Sequence, residues 1–431
     1  LVCSTDVAAA TAPNNSHKLA CPHHEMVMER DTVTLVFTSS QGVNLALWQD
    51  YHWHQPVLLY PGDNPAIDFG EDGDRHLVWR MLDTATQRLC PYYRNLEYRM
   101  LPVQISDEGW TGELDVRADD SGVAHVVWSV DMGNGTSRIA YRRCRVSGTI
   151  GERFWVSTET AGLCRFPSIE RYADGISVVW QQFCPGRQRP YSIVRRIQAG
   201  GVWQDPIVIM QDSLPLEHPM QDKGSSYEQM SAGWDRMVAG NREVFFYQGN
   251  GGGYPTAGVS TAPVLTTIGS VWSYLFWQDE QSGTEDICCH LWYEFGSGWY
   301  ESRTLRQILG IHEDVRAPSC LGALLVWTQG DSAPYRIMWH NFDYPIGTQE
   351  PRLTSGTAPL LPGSTLVRGL LRLSPALGAG QCLLLSPDGR RVRELLPGEN
   401  DLRHLAPGVY FVTVTGAGTG CRRTIGKLTV P

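Results

Sequence analysis

The chain repeats a short hydrophobic pattern, an apolar triplet that ends in an aromatic residue and is bounded by polar positions. Blades of β-propellers repeat with a period of about forty to fifty residues. We therefore interpret each triplet as a buried strand, strand B, of one blade. Seven copies end at Phe37, Trp79, Trp128, Trp180, Tyr247, Trp277 and Trp327.

A second strand precedes most triplets and is opened by a proline, a residue that suits the first position of a strand. Turn sequences such as EDGD at 71–74 join it to strand B, so the two strands form a hairpin. Alternating stretches such as 138–146 and closing segments such as 151–158 supply strands C and D. Four strands per repeat, arranged radially, form a propeller. The opening prolines are Pro22, Pro65, Pro167, Pro263 and Pro318.

The spacing of the triplets is uneven in one place. Successive aromatic residues are separated by 42, 49, 52, 67, 30 and 50 residues, and the irregular intervals share the glycine-rich region 213–262. We predict an all-β chain with a seven-bladed propeller, and a six-bladed propeller is the alternative. The polar segment 4–18 has no core pattern and would ordinarily be disordered; if it is ordered, it completes the last blade or adds a strand to a neighbouring subunit.

The repeats, with their DxxGxxxVVW pattern, resemble those of sialidase-like secreted propellers over residues 18–357. This resemblance is generic and implies a fold rather than an activity. The predicted organisation is an N-terminal extension (1–17), the propeller (18–357), a linker (358–363) and a small Ig-like β-sandwich (364–431).

The last seventy or so residues carry a more specific pattern. Leu405, Pro407, Gly408, Tyr410 and the terminal Lys427-Leu-Thr-Val resemble the C-terminal sorting domain of type IX secretion substrates. The resemblance implies export across an outer membrane and a location outside the cell or on its surface. A generic Ig-like accessory domain is the alternative.

Eleven cysteines without metal-ligand spacing predict disulfides and an oxidising compartment. A bridge between Cys382 and Cys421 would tie the small sandwich together, the alternative being two buried thiols. If the hairpin of the fourth blade turns at Asp174, Cys164 faces Cys184 and the two form a second bridge.

Charge narrows the range of partners. The net charge of −9 argues against nucleic acid. Residues 359–431 hold nine basic and four acidic residues and carry +5, which leaves −14 on the rest. This complementarity favours self-association, with another surface protein or a glycan as further partners. The chain starts at Leu1 and has no apolar run long enough for a bilayer, so we expect a mature secreted product without a transmembrane segment.

Few residues of the sequence suggest catalysis or metal binding. Glu25, Asp68 and Glu170 each follow a strand-opening proline by three residues, so they form an acidic ring in the channel or simply accept hydrogen bonds at strand ends. His52 and His54 alternate on one strand, as metal ligands or as surface histidines. No cofactor motif is present, and we predict none.

The sequence therefore favours a non-enzymatic extracellular protein, either a self-assembling subunit or an adhesive binding module. A secreted glycoside hydrolase or sialidase-like enzyme acting in the propeller channel is the alternative.

Overall fold

A computed structural model gives the architecture of the chain, which divides into two compact units: residues 4–346, and residues 347–431 together with 1–3. No helix in the described ranges is long and apolar enough to cross a membrane. The structure describes residues 8–11, 18–21, 32–49, 52–70, 73–98, 100–106, 110–158, 162–173, 175–222, 231–247, 252–254, 258–268, 272–281, 283–293, 303–309, 311–321, 324–331, 335–341, 364–366, 370–373, 381–386, 390–396, 398–402, 405, 408–415 and 422–430.

In the ranges just given, the larger unit contains thirty strands and one short helix, α1 (Leu305–Leu309). In chain order the strands are β1 (Ala8–Thr11), β2 (Lys18–Ala20), β3 (Val33–Ser39), β4 (Gly42–Gln49), β5 (His52–Trp53), β6 (Val57–Tyr60), β7 (Asp63–Phe69), β8 (Arg75–Asp83), β9 (Arg88–Asn95), β10 (Val103–Gln104), β11 (Trp110–Ala118), β12 (Val123–Asp131), β13 (Ser137–Arg145), β14 (Phe154–Trp155), β15 (Leu163–Tyr172), β16 (Gly175–Phe183), β17 (Tyr191–Ala199), β18 (Val202–Trp203), β19 (Ile207–Asp212), β20 (Leu216–Gln221), β21 (Ala232–Val238), β22 (Asn241–Tyr247), β23 (Gly252–Tyr254), β24 (Val259–Ile268), β25 (Trp272–Gln281), β26 (Thr284–Tyr293), β27 (Arg303–Thr304), β28 (Val315–Leu321), β29 (Leu324–Gln329) and β30 (Tyr335–Asn341).

These strands form seven antiparallel sheets, so the seven-bladed prediction is confirmed. Blades 1 to 6 are β2–β6, β7–β10, β11–β14, β15–β19, β20–β23 and β24–β27, and blade 7 combines β28–β30 with β1. Within each blade the strands are A to D from the channel outwards. Blades 1 and 4 carry an additional outer strand, β6 and β19.

The N-terminal strand closes the ring. Ala8 lies opposite Ile337 and Thr11 opposite Tyr335, so β1 is the outermost strand of blade 7. This is the first of the two roles predicted for segment 4–18. The first and last strands of the propeller are thereby held in one sheet.

Aromatic residues of strand B fill the spaces between blades. Phe37 is 2% exposed, and five predicted blade-core residues are fully buried: Trp79, Trp128, Trp180, Trp277 and Trp327. The exception is Tyr247. It lies on strand C of blade 5, where it pairs with Ala232 of strand B across the hairpin. The strand-B aromatic of blade 5 is Trp234, 54 residues after Trp180 and 43 before Trp277.

A break in the triplet pattern explains this error. Trp234 is preceded by Gly233, where the other copies have a larger apolar residue. A Cβ at position 233 would lie 3.3 Å from Pro263 of the next blade. Glycine therefore leaves room for the neighbouring blade, and its lack of a side chain hides the triplet in the sequence.

Strand A bends at the same place in most blades. Asn64, Phe166, His218, Ala262 and Ala317 each precede a proline and adopt φ values of 49–51° at a bulge. The prediction that these prolines open strand A is therefore wrong: Pro65 lies inside β7 and Pro167 inside β15, because the bulge interrupts a strand that has already begun. In blade 1, β2 ends at Ala20, ahead of Pro22.

Each bulge is bound by the preceding blade. The N–H of His218 donates to Gln181 Oε1 at 3.0 Å, and that of Ala317 donates to Gln278 Oε1 at 3.1 Å. Gln181 and Gln278 directly follow the strand-B aromatic residue of their blades. The N–H groups of Asn64 and Ala262 donate in the same way to Thr38 Oγ1 and Asp235 Oδ2. We call this contact the bulge latch.

The predicted bridge in blade 4 is wrong in register. Next to the turn Tyr172 pairs with Gly175, one residue away from the predicted register, and the bulge in β15 shifts the pairing by one more residue, so Cys164 lies opposite Gln182. The Gln182 side chain contacts both sulfurs, with Cys164 Sγ 3.8 Å from Oε1 and Nε2 3.2 Å from Cys184 Sγ. The eight described cysteines are thiols, and no disulfide joins them.

The smaller unit contains a five-stranded sheet in the order β31-β37-β36-β33-β34 and a pair formed by β32 and β35. Leu383, Leu384 and Tyr410 are buried in it. The Cys382 side chain and Cys421 lie outside the described residues, so this bridge stays a prediction. The strands are β31 (Ser364–Leu366), β32 (Leu370–Leu373), β33 (Gln381–Leu385), β34 (Arg391–Leu395), β35 (Gly398–Asp401), β36 (Gly408–Thr415) and β37 (Arg422–Val430).

Replacing the buried indole of blade 5 tests the corrected repeat. We expect Trp234→Ala to lower the free energy of unfolding by about 3–5 kcal/mol, because it removes a large side chain that is 4% exposed. Tyr247→Ala is the matched control and should cost clearly less. Urea unfolding measures both, and a larger loss for the Tyr247 variant would contradict the corrected strand order.

Candidate functional site

The bulges of strand A surround a cavity of about 510 Å³, which we call the channel mouth. Every blade contributes to it, since the bulges bring strand A of successive blades to one level. Its polar side chains are those of Lys18, Asn64, Arg80, Glu113, Asp115, Ser168 and His218. Its apolar surface consists of Leu114, Phe166, Met220, Val264, four prolines and two alanines.

Two of the predicted channel acids lie deeper and are joined by an arginine. Arg117 Nη1 is 3.2 Å from Asp68 Oδ1, and Arg117 Nη2 is 2.8 Å from Glu170 Oε1. All three side chains are only 5% exposed. The backbone N–H of Ala118 also donates to Asp68 at 2.7 Å. These contacts make the two acids part of a buried ion-pair network between blades 2, 3 and 4.

The remaining predicted site residues lie mostly outside the part of the chain that the structure describes. Glu25 lies outside the described residues, as does the side chain of His52, while His54 is exposed after β5. A group of three side chains with metal-ligand atoms close together occurs elsewhere in the described chain, at Glu217, His218 and Asp235.

His218 is the best positioned acid–base group of the channel mouth. Its Nδ1 lies 2.7 Å from Asp235 Oδ2, and its ring packs edge-on against Phe166 with centroids 4.6 Å apart. The His218 side chain is 34% exposed and that of Asp235 1%. The bulge latch also fixes the His218 backbone. Both the backbone and the ring of this residue are therefore held in place.

Electrostatics favour the charged form of this histidine. Burial lowers the pKa of His218, but the hydrogen bond with Asp235 and the negative charges of Asp235 and Glu217 outweigh burial and raise it above its usual value. Arg242 Nη1 binds Asp235 Oδ1 at 3.0 Å and also pairs with Glu217. A cation at this cluster would have to displace the guanidinium, so the residues do not fit a metal site.

The sequence contains a signal for this site that its irregular spacing conceals. His218 precedes Pro219, as other bulge residues precede prolines, and Asp235 follows the strand-B aromatic Trp234. Both assignments require Trp234 rather than Tyr247 as the repeat marker.

No protein-family model and no curated protein matches this chain. Among solved structures, it is similar to the polysaccharide lyase Uly1 (10% identity, 78% of this chain and 91% of that chain, TM-score 0.48). It is also similar to the β-propeller domain of the Trilobed protease from Pyrococcus furiosus (10% identity, 80% of this chain and 99% of that chain, TM-score 0.47). A third similar structure is that of the α-L-arabinanase of Penicillium chrysogenum (10% identity, 78% of this chain and 97% of that chain, TM-score 0.40). At these identities the likeness is one of architecture.

The raised pKa of His218 predicts a pH-dependent contribution to stability. A histidine whose folded-state pKa exceeds its ordinary value of 6.5 stabilises the fold fully below that pH, and this stabilisation disappears as the pH rises through the folded pKa. We expect the stability difference between the wild type and His218→Gln to shrink from pH 5.5 to pH 9. Urea unfolding at both pH values, with exposed His54→Gln as control, measures it. A stability difference between the wild type and His218→Gln that grows with pH would contradict this prediction.

Proposed function

We propose that the protein is a non-enzymatic extracellular binding module that holds a glycan segment at the channel mouth. The observation that carries the proposal is a cavity of about 510 Å³ in which polar side chains of several blades converge beside apolar surface. Concave sites with a few fixed polar groups on an apolar lining are typical of small-molecule binding sites.

The chemistry of the lining suits a sugar. Sugar hydroxyls both donate and accept hydrogen bonds, and the mouth offers acceptors in Glu113 and Asp115 and a donor in His218. Phe166 and the bulge prolines supply apolar surface for the C–H face of a sugar ring. In contrast, Asp68 and Glu170 are occupied by Arg117, which removes the pair that hydrolysis in the channel would have used.

A glycan array followed by calorimetry tests this function. We expect retention of at least one neutral or basic oligosaccharide and about tenfold weaker binding by His218→Gln or Glu113→Gln, equivalent to about 1.4 kcal/mol. Exposed Asp205→Asn is the matched control and should bind as the wild type does. An empty array, or equal affinity in both mouth variants, would overturn the proposal.

An enzyme acting by acid–base chemistry is the second candidate, favoured by the 2.7 Å contact between His218 and Asp235. A carboxylate-oriented imidazole can transfer a proton to or from a bound substrate. Here His218→Gln would abolish turnover of a retained glycan, measured as new reducing ends or unsaturated products. Retention without turnover excludes this candidate for that glycan.

Export and assembly complete the proposal. The segments that resemble a type IX sorting domain form adjacent strands, with Tyr410 opposite Leu428 and Phe411 opposite Lys427, which supports an Ig-like sandwich. Mass spectrometry of the native C-terminus tests whether this unit is a removed export signal or a retained domain.

Self-association is supported by apolar residues on the additional outer strands, where Val57, Ile207 and Val208 are more than half exposed. Sedimentation at low and high salt tests it. A strictly monomeric protein under both conditions would exclude assembly.

A further inference from the structure

A second cavity lies between the outer strands of blades 3 and 4, separate from the channel mouth. We call it the blade 3–4 cleft, and its volume is about 410 Å³. Tyr141 and Gln198 form its floor and are 3% and 5% exposed. Arg143 and Arg145, which follow Tyr141 at alternate positions on β13, line its rim, and Trp203 of blade 4 forms a wall.

A chain of hydrogen bonds orients the hydroxyl on the floor. Asp119 Oδ2 lies 3.0 Å from His125 Nε2, and His125 Nδ1 lies 2.8 Å from the Tyr141 hydroxyl. Arg143 Nε donates to the same oxygen at 3.3 Å, and the Gln198 side chain also hydrogen-bonds to it. Burial raises the pKa of Tyr141 to about 12, so its hydroxyl stays protonated near neutral pH. The floor therefore presents polar groups in a fixed arrangement.

Blade 2 also contains a histidine whose ring nitrogen contacts a tyrosine hydroxyl. His76 Nδ1 lies 2.9 Å from the Tyr93 hydroxyl, but that hydroxyl donates to the backbone carbonyl of Arg145 at 3.4 Å. Gly70 stands where blade 3 has Asp119, and His76 Nε2 has no hydrogen-bond partner among the described residues. Burial lowers the pKa of His76 to about 4. Of these two blades, blade 3 is the one in which an aspartate completes the hydrogen-bond chain.

The rim of the cleft carries two arginines and one carboxylate, Glu152, so the lining has a net positive charge beside an aromatic wall. The side chains of Arg143 and Arg145 are exposed, and neither forms an ion pair with a carboxylate in the described part of the chain. The indole of Trp203 is half-buried, stacked on Phe154 with centroids 5.1 Å apart. Two guanidinium groups bind carboxylate or sulfate oxygens, while an aromatic wall packs against a sugar ring.

We propose that the blade 3–4 cleft binds an anionic sugar, with its acidic group on Arg143 and Arg145 and its ring against Trp203, above the fixed floor of Tyr141 and Gln198. This ligand differs from that of the channel mouth in requiring negative charge. In a propeller whose net charge is strongly negative, these two arginines provide a local attraction for such a ligand.

Calorimetric titration with three oligosaccharides of equal length tests the proposal: an oligogalacturonate, a sulfated galacto-oligosaccharide and a neutral galacto-oligosaccharide. We expect saturable binding of at least one anionic probe and at least tenfold weaker binding of the neutral one. The carboxylated and sulfated probes distinguish the two acidic groups. Binding of neither anionic probe, or equal binding of all three, would overturn the proposal.

Variants locate the binding. Arg143→Gln with Arg145→Gln should weaken anionic binding at least tenfold, and these exposed substitutions should leave unfolding unchanged. Arg189→Gln, an exposed arginine elsewhere in blade 4, is the matched control. His218→Gln should leave anionic binding intact, which separates this site from the channel mouth. Undiminished binding in the double arginine variant, or its loss in His218→Gln alone, would overturn the assignment.

Discussion

The bulge latch is the contact on which the propeller depends. A bulge residue at positive φ turns its N–H away from its own sheet, and an unsatisfied buried N–H costs about 1–3 kcal/mol. In four of the five bulges named above, the preceding blade satisfies this group with the polar residue that follows its strand-B aromatic, as Gln181 does for His218, whereas the Phe166 N–H donates to Glu113 Oε2 of strand A. The aromatic side chain and its polar neighbour thus act together: one fills the space between blades and the other fixes their register.

This arrangement also creates the functional surface. Because the bulges lie at one level, their side chains and prolines surround the channel mouth, and the latch fixes His218 where Asp235 can orient its ring. Asp68, Arg117 and Glu170 on strand A of blades 2, 3 and 4 form a buried network whose charges compensate one another. The accessible chemistry is therefore concentrated at the mouth and in the blade 3–4 cleft.

Much of the fold could be predicted from the sequence, because a buried aromatic residue every forty to fifty residues is a strong signal. Prediction failed where side-chain size or register broke the pattern. Gly233 masked the strand that carries Trp234, and the bulge in β15 moved Cys164 opposite Gln182. The site was harder to predict, since His218 meets Asp235 only through a blade assignment that this glycine conceals. The blade 3–4 cleft joins residues of two repeats, and strand periodicity alone does not reveal such contacts.

We infer that the bulge latches between blades build the proposed ligand site at the channel mouth. The most direct measurement is the affinity of a retained glycan for Gln181→Leu, which removes the acceptor of the His218 N–H without touching the lining of the channel mouth. We expect this variant to be folded, as measured by circular dichroism, and to bind the glycan at least tenfold more weakly than the wild type. A folded variant with undiminished affinity would contradict this expectation.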